Sequence, residues 1–238
     1  MTTTRKHPDD LPAPSALNLT DLADRFGSDK GSTKHRYTEL YQMLFLPYRD
    51  RAIDLLEMGL QIGGPEHGVS ADRKTTDLPS VRMWLEYFPK AQIHGLDVSD
   101  FSWFSADRFS FYRCDMDERC NIAAAAAAMP DFDIILDDAS HASHHQQNAF
   151  LELFAHLKPG GLYIIEDLRW QPKTYEKKGI TKTAELMRGF SESRSFSHSD
   201  PLVAAAFTNL IPQISGCFVF QARYNKTNKD QVVVIHKR

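Results

Sequence analysis

The sequence lacks several features that would settle its class at once. Cysteine is scarce: Cys114, Cys120 and Cys217 are the only three in 238 residues, and no two of them have metal-ligand spacing. That excludes a disulfide-stapled scaffold and reads as reduced thiols in a cytoplasmic protein. No apolar run approaches the ~20 residues of a membrane span, so no membrane partner is expected. The opening residues MTTTRKHPDDLPAPS have no apolar centre and do not form a signal peptide. Their Pro, Asp and Thr content predicts a flexible N-terminal arm over residues 1–18, ahead of a single domain at 19–238. Neither sign of charge dominates: 28 Lys and Arg stand against 31 Asp and Glu, mixed along the chain. The clustered basic surface of a nucleic-acid binder is therefore missing. There is no internal repeat. There is also no G-x-G-x-x-G, which argues against a ligand carrying a pyrophosphate.

What is present suits one α/β domain. Apolar residues make up 42% of the chain, enough for a core. Apolar spacing predicts helices at Leu19–Phe26 and Tyr37–Tyr48, separated by the polar loop GSDKGSTKHRY. A buried strand over 52–59 follows, then a long glycine- and proline-containing loop over 60–79. Ser80 is the expected N-cap of a helix running to about Phe88. Strands are expected at 91–98, 109–115 and 131–138, with a helix from the alanine run Asp117–Met129 before the last of them. A helix over Ser143–Leu157, a turn at KPGG and the strand GLYIIED come next. Two more helical patterns lie near 181–191 and 200–210, and the final segment reads as a β-hairpin. Alternating strands and helices predict a doubly wound, mostly parallel seven-stranded sheet, with the hairpin supplying antiparallel strands.

The richest stretch is Phe132–Asp167. Two buried strands end in acidic pairs, Asp137–Asp138 and Glu166–Asp167, and His141 follows the first pair. Parallel strands deliver these ends to one edge of the sheet, where ligands bind. So many carboxylates would repel one another unless a cation joined them. Asp138, Glu166 and Asp167 form the candidate metal set, and oxygen donors without cysteine suit Mg²⁺, with Mn²⁺ or Ca²⁺ as substitutes. The plainer alternative makes Asp138 a helix cap and leaves Glu166 and Asp167 solvated. His141, in the strand-to-helix loop beside the acids, suits general-base work. His144 and His145, one turn on, read as helix-surface or supporting residues.

Three more strand ends carry acids. Glu57 precedes Gly59, whose lack of a side chain lets a ligand approach. Asp97 stands where an acidic residue commonly holds a ribose hydroxyl pair, and Asp115 could take an adenine amine. Each alone could equally be a cap or a solvated loop acid; in series they point to a nucleoside-like ligand. Lys30, Lys34, His35, Arg36 and Tyr37 form a basic and aromatic loop that either closes over that ligand and meets a carboxylate or is merely solvated. Trp170 and Tyr175 could shape an acceptor pocket, with core packing the competing account for Trp170.

LEMG, IHGLDV, FDIILDDASH and LKPGGLYIIEDL together resemble class I S-adenosylmethionine-dependent methyltransferases, with their Rossmann-like fold. More narrowly they resemble the metal-dependent macrolide sugar O-methyltransferases and the related cephalosporin-hydroxylase group. FGSDKGSTKHRYTELY is similar to the opening segment of that family, and the likeness runs over roughly residues 22–170. The family usually has glycine where this chain has Ala139.

The resemblance implies S-adenosylmethionine bordered by Glu57, Gly59, Asp97, Val98, Asp115, Asp137 and Tyr37. It further implies Mg²⁺ on Asp138, Glu166 and Asp167, and catalysis by His141 with Asp138. The expected reaction is methyl transfer to a hydroxyl of a small molecule, foremost a sugar of a glycosylated natural product. A homo-oligomer is compatible with this reading. Two rivals stand beside it: a metal-dependent hydroxylase-like enzyme, and a non-catalytic cofactor-binding scaffold.

Overall fold

The computed structural model describes residues 18–72, 75–223 and 229–238. Most of the expected N-terminal arm, residues 1–17, lies outside them, as do 73–74 in the long loop and the turn of the hairpin. Seven strands form one sheet: β1 (Asp54–Met58), β2 (Gln92–Asp97), β3 (Phe109–Arg113), β4 (Phe132–Asp137), β5 (Leu157–Ile165), β6 (Ile214–Arg223) and β7 (Lys229–Lys237). Their order is β3-β2-β1-β4-β5-β7-β6. The first five run parallel; β7 is antiparallel to both β5 and β6. The order reverses between β1 and β4, and the crevice outside their C-terminal ends is the natural ligand position.

Helices cover both faces. α1 (Leu19–Phe26), α2 (Tyr37–Phe45) and α3 (Pro79–Tyr87) pack on one. α4 (Arg119–Ala126), α5 (Ser143–Leu153), α6 (Thr183–Ser193) and α7 (Pro201–Leu210) pack on the other. Alternate residues along each strand feed opposite cores, as the pleat requires: Leu55 goes to the first, Leu56 and Met58 to the second. Local signals explain several ends. The Asn18 side chain accepts from the Asp21 amide, and Gly27 closes α1 at φ 76. Asp200 and Pro201 start α7. Among the described residues, no helix is long and apolar enough to cross a membrane.

Among the boundaries that depart from sequence expectation, two have a clear local cause. Ser80 is not the N-cap of α3: the helix begins at Pro79, and the Ser80 hydroxyl donates instead to Glu57 Oε2 at 2.8 Å. KPGG is not a turn outside β5 but part of that strand, next to a register shift against β4. Gly160 takes the irregularity with φ +80.

Candidate active site

Gly59 sets how closely β1 and β4 approach at the crevice. It has φ +81, and a Cβ there would lie 2.2 Å from the Asp138 carbonyl oxygen. Only glycine fits both restraints. The Asp138 amide donates to the Met58 carbonyl at 2.9 Å, holding the two strand exits side by side. Beyond them opens a cavity of about 370 Å³. Gly59, Asp97, Val98 and Asp115 line one part of it, and Asp138, His141 and Asp167 another.

Asp97 is buried, and its carboxylate accepts from the Leu60 amide and the Ser99 amide, each at 2.8 Å. Asp115 is exposed, two residues beyond the end of β3, and accepts from the Asp117 amide at 3.0 Å. Sequence reasoning carried β3 through to Asp115; the strand stops at Arg113, so Asp115 reaches the cavity from a loop.

Among the described residues, Glu57, Asp137, Tyr37 and Glu166 do not line the cavity; they are buried behind its wall. Glu57 and Glu166 there meet Lys30, which also lines the cavity and whose side chain is 1% exposed. Its ammonium pairs with Asp138 Oδ2, with Glu166 Oε2 at 3.1 Å, and with Glu57 Oε1 at 3.6 Å. Burial alone would lower the Lys30 pKa; the Asp138, Glu166 and Glu57 carboxylates outweigh it and hold the ammonium well above its ordinary range. Burial likewise pushes Asp138 up, and Lys30, His141 and His35 together outweigh that and hold its pKa below the ordinary value. Burial and the Asp138 charge together hold Glu166 well above the carboxylate range, and Tyr41 donates to its Oε1 at 2.6 Å. Burial raises Glu57 and Asp137 to about 7 each. The sequence offered Lys30 as a loop cation able to meet a carboxylate but not as a buried hub, and Tyr41 as a donor was not read from it.

Asp138, His141 and Asp167 each offer one ligand atom within 4.8 Å of the others. His141 Nε2 is 3.5 Å from Asp167 Oδ2, and the Tyr37 hydroxyl donates to Asp167 Oδ1. Asp138 does not cap α5: its N-cap is Ala142, and Glu176 accepts from the Ser143 amide instead. Both His141 and Asp167 have left-handed backbones, φ 61 and 52. Such conformations in non-glycine residues store strain, and they gather at functional sites. Trp170 meets His141 edge-on at 5.3 Å and stacks on His67 from the long loop at 5.5 Å, bridging two segments at the mouth.

No protein-family model matches the chain. It is 38% identical over 151 residues to the 8-demethyl-8-alpha-L-rhamnosyl tetracenomycin-C 2'-O-methyltransferase of Streptomyces olivaceus, covering 63% of this chain and 38% of that one. It is 34% identical over 151 residues to the mycinamicin VI 2''-O-methyltransferase of Micromonospora griseorubida, covering 63% and 36%. The chain thus spans little more than a third of the length of the curated relatives it matches. Among solved structures, MycE methyltransferase from the mycinamycin biosynthetic pathway, in complex with Mg, SAH and mycinamycin VI, superposes with a TM-score of 0.70. That match is 27% identical and covers 94% of this chain and 55% of the other. Over 63% of its length the chain is thus similar in sequence to sugar O-methyltransferases of macrolide and tetracenomycin pathways, and its fold is similar to that of the MycE methyltransferase.

Proposed function

We propose that this protein transfers a methyl group from S-adenosylmethionine to a hydroxyl of a sugar borne by a glycosylated natural product, with Mg²⁺ bound and Mn²⁺ able to replace it. The observation that carries the reading is the convergence of Asp138, His141 and Asp167 at a cavity that Gly59, Asp97, Val98 and Asp115 also line. The free cysteines suit a reducing compartment, and we place the reaction in the cytoplasm.

The residues fit both groups. A Cβ at position 59 would strike the Asp138–Ala139 backbone, so Gly59 lets the two strand exits close together beside the cavity that would take the cofactor. Asp97 and Val98 beside it would face the ribose, and Asp115 the base. The metal's donors are hard oxygens, as Mg²⁺ requires. Asp138 and Asp167 would hold it, each carboxylate having capacity beyond the bonds it makes here. Glu166, expected as a third ligand, is bonded to Tyr41 and Lys30 and is not among the described residues that line the cavity. When bound, the cation acidifies a chelated hydroxyl and the sulfonium supplies the methyl group.

His141 accepts the hydroxyl proton. Its ring is set by the left-handed backbone, by Asp167 and by the edge of Trp170. The Tyr37 hydroxyl holds the Asp167 carboxylate in place, and Asp230, near the start of β7, sets a second negative charge beside it. Ile62 and Trp170 are exposed at the mouth and would receive the apolar body of the acceptor. The enzyme's remaining task is alignment of donor and acceptor.

A mass-shift screen tests this: purified protein, S-adenosylmethionine and Mg²⁺ with a panel of glycosides, in parallel with chelator. One methyl increment on a glycoside, absent in chelator, is expected. Cofactor binding with no methylated product across the panel would favour the scaffold reading. Full turnover in chelator would remove the metal from the proposal.

A further inference from the structure

A second group of ligating side chains lies outside the acids at the crevice. Asp117 follows β3, and His144 and His145 occupy the first turn of α5. His144 Nε2 is 2.8 Å and His145 Nε2 3.4 Å from the same oxygen, Asp117 Oδ1. The three ligand atoms lie within 4.8 Å of one another, and the two imidazole rings are 4.2 Å apart. We propose that Asp117, His144 and His145 form a second metal site, one for a divalent transition ion of the Zn²⁺ kind, separate from the oxygen-donor group at Asp138.

The donor chemistry distinguishes the two. Two imidazole nitrogens and one carboxylate oxygen suit Zn²⁺ or Co²⁺, whereas Mg²⁺ prefers oxygens. Both histidines are buried, so the ligand atoms are held rather than free to scatter. His145 has the outer partner that a metal-bound imidazole uses, with its Nδ1 2.6 Å from Ser140 Oγ. Burial lowers the pKa of both imidazoles, leaving them neutral at neutral pH, and Asp117 is ionised there. Ligands must be in those forms. Lys177, half exposed and 3.2 Å from Asp117 Oδ1, supplies a cation now and sits on a side chain able to swing away.

The position gives the site a structural role. Asp115 and Met116, immediately before Asp117, line the cavity, and so does His145. An ion at this point would clasp the loop after β3 to the helix whose leading loop carries His141. The inference does not depend on methyl transfer.

The test uses the full chain stripped with chelator and dialysed. Titration with Co²⁺ should give visible d–d absorption that saturates at a single equivalent, and Zn²⁺ should displace it and raise Tm. Asp117→Asn and His144→Ala should each keep the metal-free Tm within a few degrees and lose the band. Each should weaken Zn²⁺ by more than about 100-fold, beyond the loss typical of a residue that merely supports a ligand. Asp138→Asn should leave the band intact. Absence of the band and of the Zn²⁺-dependent rise in the native chain overturns the proposal. So does their persistence in either variant, since other histidines would then be the ligands.

Discussion

The two edges of the sheet carry the same kinds of residue and do different things. At the N-terminal edge, Lys158 lies between Asp54 Oδ2 at 3.1 Å and Asp133 Oδ2 at 2.8 Å, and His94 Nε2 is 3.2 Å from Asp54. At the C-terminal edge, Lys30 lies among Asp138, Glu166 and Glu57, and His141 faces Asp167. Each edge thus has a lysine among strand-end acids and a histidine beside one of them. The difference is water. Lys158 is 38% exposed and Lys30 is 1% exposed. In the dry cluster every charge is strongly coupled to its neighbours, and a cavity stands in front of it. A set of residue types does not make a site; burial and a space to act in do.

The comparison can be pressed experimentally, beginning with the largest effect. His141→Ala should lower turnover by about 10²–10⁴-fold with the fold intact, the usual worth of a positioned base. His94→Ala should cost stability and leave turnover alone. Equal losses of turnover in steady-state assays would erase the distinction. Lys30→Met strands buried carboxylates and should cost about 3–5 kcal/mol in denaturant unfolding. Added Mg²⁺ should restore more stability to that variant than to the native chain.

Gly59→Ala should cost about 2 kcal/mol or more, through the left-handed backbone and the clash with the Asp138 carbonyl, and should weaken S-adenosylhomocysteine binding in calorimetry. A stability profile against pH, without metal or cofactor, comes next. Burial raises Asp137 and Glu57 to about 7, whereas in the unfolded chain such groups ionise at about 4. As pH rises between those values the unfolded chain releases protons that the folded chain keeps. Their stabilising contribution is therefore full on the acid side and lost as pH passes about 7. Asp137→Asn should flatten that decline; an unchanged slope would contradict the burial argument. The smallest effect belongs to Lys158→Met, at about 0–1 kcal/mol, because its ion pairs are open to solvent.

Much of this was legible in the sequence, for physical reasons that differ from residue to residue. The strands and helices showed through because apolar periodicity reports which side of an element is buried. The acids at strand ends were visible because a parallel sheet sends all its C-termini one way. Lys30 was legible as a loop cation able to meet a carboxylate, but not as a buried one: a lysine in a glycine-punctuated polar loop looks solvated, and its burial among Asp138, Glu166 and Glu57 follows from tertiary packing. Ser80 looked like a helix cap because serine often is one, and Glu57, 23 positions away, claimed its hydroxyl instead. The Asp117 cluster escaped because its partners are 27 and 28 residues apart and belong to different elements.

The position of β7 has a consequence in time. It is the last of the seven strands to be synthesised, yet it sits inside the sheet, between β5 and β6. Until Lys229–Lys237 has left the ribosome, Leu162–Ile165 of β5 has no antiparallel partner. For that interval the nascent chain carries an apolar strand with one open side, the kind of edge that invites foreign pairing. Asp230, which lines the cavity, arrives with the same segment. The cavity therefore lacks one of its lining residues until that segment has joined the sheet.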